Sequence, residues 1–209
     1  MSFDKSALSV TASKATKVDG RRLRSERTRL AIIEAYLELL RRDPRMPTTA
    51  QIAEQAGCSL RSIFERFSDL NTLSLATADY AIAQGQAEAV ARNVTGDRPT
   101  RIQSHVETRA RACEKWLPLW RVITMQEQDA ELRSRVVMVR LANIERMKLM
   151  YRLELSRLSE PAREQLLIAL AVLISFESWD QMRHCYGLSM DAAQGVWRSA
   201  IDRMLPSAG

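Results

Sequence analysis

The stretch that most constrains the fold is residues 48–67, TTAQIAEQAGCSLRSIFERF. It carries a helix start, a helix stop and a second start in close succession, so it reads as two short helices joined by a tight turn. Thr48 can N-cap the first helix, and Gln51 three residues later completes the capping-box spacing. Ile52, Ala53 and Ala56 put an apolar stripe on one face. Gly57 stands at the C′ position, where a left-handed backbone is least strained in a residue without Cβ. Cys58 is small and apolar enough to tuck into the turn. Ser59 can cap a second helix in which Leu60, Ile63, Phe64 and Phe67 fall at i, i+3, i+4 and i+7, a core-facing stripe. The outer face is then Arg61, Ser62, Glu65 and Arg66. A short helix with a polar, doubly cationic outer face, held at an angle by a small-residue turn, is the shape that enters a DNA major groove.

Charge supports a polyanionic partner through its distribution more than its amount. The chain of 209 residues carries a net charge of +6. Between residues 13 and 29, seven cations (Lys14, Lys17, Arg21, Arg22, Arg24, Arg27 and Arg29) face only Asp19 and Glu26. Such a segment is either a solvated tail or an arm that grips phosphates or the minor groove. Residues 1–20 are rich in Ser, Thr, Ala and Lys without an apolar period and are expected to be mobile. The three cysteines, Cys58, Cys113 and Cys185, are widely spaced and odd in number, which points to a reducing, cytoplasmic setting. No N-terminal apolar run reads as a signal peptide, and the longest apolar stretch, residues 166–174, is too short for a membrane span.

The remaining pattern is helical throughout, so the expected fold class is all-α: a three-helix DNA-binding domain with its helix-turn-helix, then a larger helical domain. A first helix is expected from residue 25 to about 41, with Leu30, Ile33, Leu37 and Leu40 as its main stripe. Another should run over 68–93 and tie the reading unit to the rest of the chain. Helices are expected over 99–115 and 117–125 with a break near Pro118, then over 127–155, 159–185 and 189–205. The cations of the helix over 127–155, Arg146 among them, read as a solvated face. Residues 166–174 are apolar around the full circumference and must be covered on both sides. With the amphipathic last helix they form either half of an intersubunit four-helix bundle or an internal hairpin. Leu173, Val196, Trp197, Ile201 and Met204 are the candidate interface residues.

No catalytic constellation stands out, and no enzyme activity, metal or cofactor is expected. His105 and His184 lie in no metal-binding spacing, and no glycine-rich phosphate loop is present. The middle of the chain instead concentrates large adaptable side chains: Trp116, Trp120, Met125, Met150, Tyr151, Phe176, Trp179 and Met182. With His105, Arg109 and Gln126 as polar members, they read as an interhelical pocket or as ordinary core filling.

Residues 24–75 resemble the DNA-binding domain of TetR-family transcriptional regulators, through Thr49, Ile52, Ala53, Ala56, Gly57, Ser59, Ile63, Phe64, Phe67 and Leu73. The family usually has Tyr at the position of Phe64 and Lys at that of Leu70, so two common phosphate contacts are missing. The resemblance implies a homodimeric repressor, released from a near-palindromic operator in double-stranded DNA by an unknown small-molecule effector bound in the middle domain. The expected layout is a flexible basic arm, residues 1–20, a helix-turn-helix domain, 21–75, and an effector-binding and dimerisation domain, 76–209. Thr48, Thr49, Ser59, Arg61, Ser62, Phe64 and Arg66 are the DNA-binding candidates, with Arg61 reading a base. The alternative is a DNA-bound scaffold of the same fold whose C-terminal domain engages a protein partner.

Overall fold

In the computed structural model, residues 6–207 are described apart from 44, 90–92 and 127, with the backbone alone described for 6–19. The described residues are helical with no strand. The chain divides into two compact units, residues 1–77 and 78–209.

In the first unit, α1 (Ser6–Arg42) packs on α2 (Thr49–Gln55), and α2 on α3 (Leu60–Phe64). α1 begins far ahead of the expected residue 25, and the backbone from residue 6 onward is helical. Alanine and lysine are good helix formers, but without an apolar period they leave no signal in the pattern. Any grip of Lys14 and Lys17 on phosphate lies outside the described side chains. The α1 core face is Ile32, Ile33, Tyr36, Leu37 and Leu40, while Leu30 is exposed. Ile52, Ala53, Ile63, Phe67 and Leu73 complete this small core. The Tyr36 hydroxyl lies 3.0 Å from Ser74 Oγ at the start of α4 (Leu70–Glu88), which satisfies both buried hydroxyls. α4 starts at Leu70 because Asp69 Oδ1 accepts from Thr72 N at 2.7 Å and caps its first turn.

The second unit holds the remainder of α4 and all later helices. α5 (Arg98–Met125) is the hub on which α6 (Ala130–Met150), α9 (Phe176–Asp180) and α10 (Met190–Met204) pack. The expected break at Pro118 does not occur, and α5 runs straight through it. The missing N–H costs about 3 kcal/mol. Burial of Trp116, Leu117, Leu119, Trp120, Val122 and Ile123 around the proline offsets that cost, at about 2 kcal/mol for each large apolar side chain.

Each of the two long helices expected over 127–155 and 159–185 is broken. α6 ends at Met150, and α7 (Arg152–Leu155) follows after Tyr151, whose φ is −113°. The open carbonyl of Met150 accepts from Arg101 Nη1 at 2.5 Å. The same guanidinium pairs with Glu154 at 2.6 and 2.8 Å, a bidentate ion pair with both side chains buried. α8 (Glu160–Leu173) stops because Ser175 caps a new helix, α9, by accepting from Ser178 N at 3.0 Å. A π-helical turn, Gln181–Cys185, leads on to Gly187, whose φ is +66°. Among the described residues no helix is long and apolar enough to cross a membrane.

Candidate functional site

The first site is built by its caps. Thr48 Oγ1 accepts from Gln51 N at 3.3 Å, and Gln51 Oε1 accepts from Thr48 N at 2.9 Å, a complete capping box. Gly57 adopts φ +62°, so α2 ends where the glycine stands. The N–H of Cys58 then donates to Ala53 O at 3.0 Å and closes the turn. Ser59 Oγ accepts from Ser62 N at 3.1 Å and starts α3. The turn is over-determined by contacts within three to five residues.

These contacts aim one cation outward. The Arg61 side chain is 87% exposed, and its Nε donates to Glu65 Oε1 at 2.8 Å. That hydrogen bond holds the Glu65 carboxyl below its usual range and raises the Arg61 guanidinium. Glu65 thus restrains Arg61 on the exposed face of α3. Arg66 behaves differently. Its side chain is only 20% exposed, with Nη1 donating to Ser62 O at 2.9 Å. Through that bond it braces α3. Leu60 and Phe64, expected in the core stripe, are 46% and 54% exposed. α3 is only five residues long, so its apolar stripe is too short to bury both ends. Phe64 stands three residues from Arg61 on α3, so the two exposed side chains share a helix face. Thr48 and Ser59 are exposed and Thr49 and Ser62 half-buried, the two serine hydroxyls lying 3.0 Å apart. On α1, Arg21, Arg24 and Arg27 are exposed as well.

The second site is a cavity of about 170 Å³ within the second unit. Its walls come from the later turns of α4, from α5 and α6, and from Phe176 at the start of α9. Of the expected pocket residues, Arg109, Trp116, Trp120 and Phe176 line it. Trp120 stacks on Phe176 with ring centroids 4.5 Å apart, and the Arg109 guanidinium lies 4.5 Å from the centroid of the same Phe176 ring. Arg109 Nε donates to Ile174 O at 2.8 Å, which anchors its stem where α8 ends.

The other expected pocket residues do not line the cavity. Met125 is 81% exposed at the end of α5, and Gln126 folds back onto Val122 O at 3.3 Å. Met150, Trp179 and Met182 are core, with Trp179 packed on Trp197 at 4.7 Å. Tyr151 is buried and its hydroxyl lies 2.7 Å from His105 Nδ1. His105 is also fully buried, and desolvation, then the charges of Arg146 and Arg109, push its pKa down to about 3. It is a neutral core histidine.

The wall also holds residues that sequence reasoning misplaced. Arg146, read as part of a solvated face, is half-buried in the wall, and desolvation followed by the charge of Arg109 lowers its pKa. A signal existed: Arg135, Val139, Asn143 and Arg146 recur at i, i+4, i+8 and i+11, one face of α6. Ile82 and Gly85 on α4 carried no comparable mark.

The remaining expected site was the end of the chain. Trp197 and Ile201 are wholly buried against their own unit, so they are core rather than an interface. Strong amphipathicity shows that a face is buried but not against which chain. Val196 and Met204 on α10 and Ile168 and Val172 on α8 are the exposed apolar residues of these helices, with Leu173 half-buried between.

No protein-family model matches the sequence, and no curated protein matches it. Among solved structures, the chain is similar to the crystal structure of a candidate TetR-family transcriptional regulator from Rhodococcus sp. The TM-score is 0.66 with 17% identity, over 86% of this chain and the whole of that one. At that identity the likeness concerns the backbone, and the fold of this chain is TetR-like.

Proposed function

We propose that this TetR-like chain is a DNA-binding transcriptional regulator, a repressor that acts as a homodimer and is released by a small effector. The observation that carries the reading is the capped turn that holds Arg61 outward while Arg66 is tied back onto α3. An arginine held this way can donate bidentately to guanine O6 and N7 in the major groove. Ser59, Ser62, Thr48 and Thr49 would meet phosphates, and Phe64 would contact a sugar or a thymine methyl. The exposed Arg21, Arg24 and Arg27 on α1 would add salt-dependent affinity.

Dimerisation is supported by Ile168, Val172, Val196 and Met204, apolar side chains left uncovered on two helices that pack on each other. Two copies related by a twofold axis would place their reading helices about 34–36 Å apart, or a multiple, on an inverted repeat. The cavity supplies the effector site. α4 carries Leu73 and Ser74 in the first core and Ile82 and Gly85 in the cavity wall, so a ligand that shifts its later turns displaces one continuous helix. DNA and effector would then weaken each other by the same factor. Selection from random duplex DNA tests the reading. An enriched inverted repeat is the expected result; recovery of no sequence, with only salt-sensitive binding, would remove it.

A further inference from the structure

We propose that the cavity takes an apolar monocarboxylate, an aromatic or medium-chain organic acid whose carboxylate sits between Arg109 and Arg146. The proposal rests on the effector-site reading and names the chemical class that site accepts. The wall is largely aliphatic and aromatic, with Ile82, Leu119, Ile123 and Val139 among its members. Its volume is close to that of the ~150 Å³ apolar cavity known to hold a benzene ring, so a ring-sized or folded-chain body fits.

The polar groups in that wall are unbalanced toward one charge. Arg109 and Arg146 both line the cavity, and among the described residues neither forms an ion pair. Arg109 uses Nε on Ile174 O, and neither terminal nitrogen donates within the described chain. Other charged neighbours are already engaged: Arg135 holds Asp79 at 3.0 Å, and Glu177 holds Arg140 at 2.9 Å and Trp120 Nε1 at 3.1 Å. The Trp116 Nε1 hydrogen is buried without a partner in the same wall. An indole N–H and a guanidinium can only donate. Two half-buried like charges without an ion pair, in a wall that also holds an unmet donor, are a cost that a carboxylate bound between the two guanidinium groups reduces. A cationic ligand would raise that cost, and a neutral one would leave the two charges unpaired.

The test is titration calorimetry on the full-length protein without DNA, using matched probes: 3-phenylpropanoate, indole-3-acetate and octanoate against their primary amides. The expected result is at least about tenfold tighter binding of a carboxylate than of its amide, since hydrogen bonds to charged groups are worth roughly twice neutral ones. In Arg146→Met that preference falls several-fold, because the carboxylate loses more than the amide and only Arg109 remains to pair it, and Arg146→Lys, which keeps the charge, retains part of what is lost. The melting temperature of ligand-free Arg146→Met should equal or exceed that of the parent, because a repulsion has been removed. If that variant does not fold, the lysine variant still reads the preference. Amides that bind as tightly as acids would overturn the proposal and leave the effector cavity standing. Binding by no probe of either kind would overturn both. An acid preference unaltered in Arg146→Met would place the carboxylate elsewhere and overturn it too.

Discussion

The capped turn and the cavity are two sites of one chain assembled in opposite ways. The turn is made of contacts between residues three to five apart, such as Thr48 with Gln51 and Ser59 with Ser62. The cavity gathers Ile82, Arg109, Arg146 and Phe176, which come from four helices and which no local rule connects. The turn therefore holds its geometry through backbone capping, and its chemistry points to solvent. The cavity holds its geometry through packing, and its chemistry is paid for by burial. Local order makes a rigid capped turn; non-local order makes a packed cavity.

The largest expected effect separates the two regions directly. Glu154→Ala leaves Arg101 buried without its carboxylate and should cost about 3–5 kcal/mol. All four tryptophans lie in the second unit, so their fluorescence reports its unfolding in urea. The double change Arg101→Met with Glu154→Met should recover most of the loss, because a well-packed apolar pair replaces the ion pair. A loss as large in the double variant would show that packing at α7, not charge, was at stake.

Acid should have the next effect, again on the second unit. His105 titrates near 6.5 when unfolded and at about 3 when folded. Between those values the unfolded state binds more protons, so stability is full above pH 6.5 and falls with pH. The slope is about 1.4 kcal/mol per pH unit. Urea midpoints followed by tryptophan fluorescence from pH 7 to pH 4 measure it, and His105→Asn should flatten the profile.

The capped turn should show smaller effects of two distinct kinds. Arg61→Ala should cost about 1–3 kcal/mol of discrimination at one base pair of each half-site and leave stability unchanged. Arg66→Ala should do the reverse and lower stability, because it removes the bond to Ser62 O. Binding to a panel of singly altered operators, beside thermal melts, tells them apart. Thr48→Ala should cost about 1 kcal/mol through loss of the cap. The smallest effect belongs to Gly85→Ala. Its added methyl would lie an unstrained 4.0 Å from Trp116 Nε1, so the helix should gain about 0.5–1 kcal/mol. A loss there would mean the cavity does not tolerate even a methyl on α4.

Legibility in the chain divides along the same line. The all-α class, the caps at Thr48 and Ser59, and the left-handed Gly57 could be read from spacing. Four pocket residues could be named, Arg109, Trp116, Trp120 and Phe176, because bulky or charged side chains are conspicuous. Met125, Met150, Tyr151 and Trp179 were equally conspicuous and lie elsewhere, since size says nothing about direction. The continuity of α5 through Pro118 was hidden because local propensity is weaker than the burial around it.

The sequence by itself determined where helices begin and end around the turn, since a capping hydrogen bond needs only residues three apart. It also determined that Arg61 stands on the polar side of α3. The tertiary structure alone decided that Arg66 folds inward, that Trp197 and Ile201 pack against their own unit, and that Arg109 meets Arg146 in one cavity. Those outcomes depend on which helix faces are brought together, and periodicity marks a face without naming its partner.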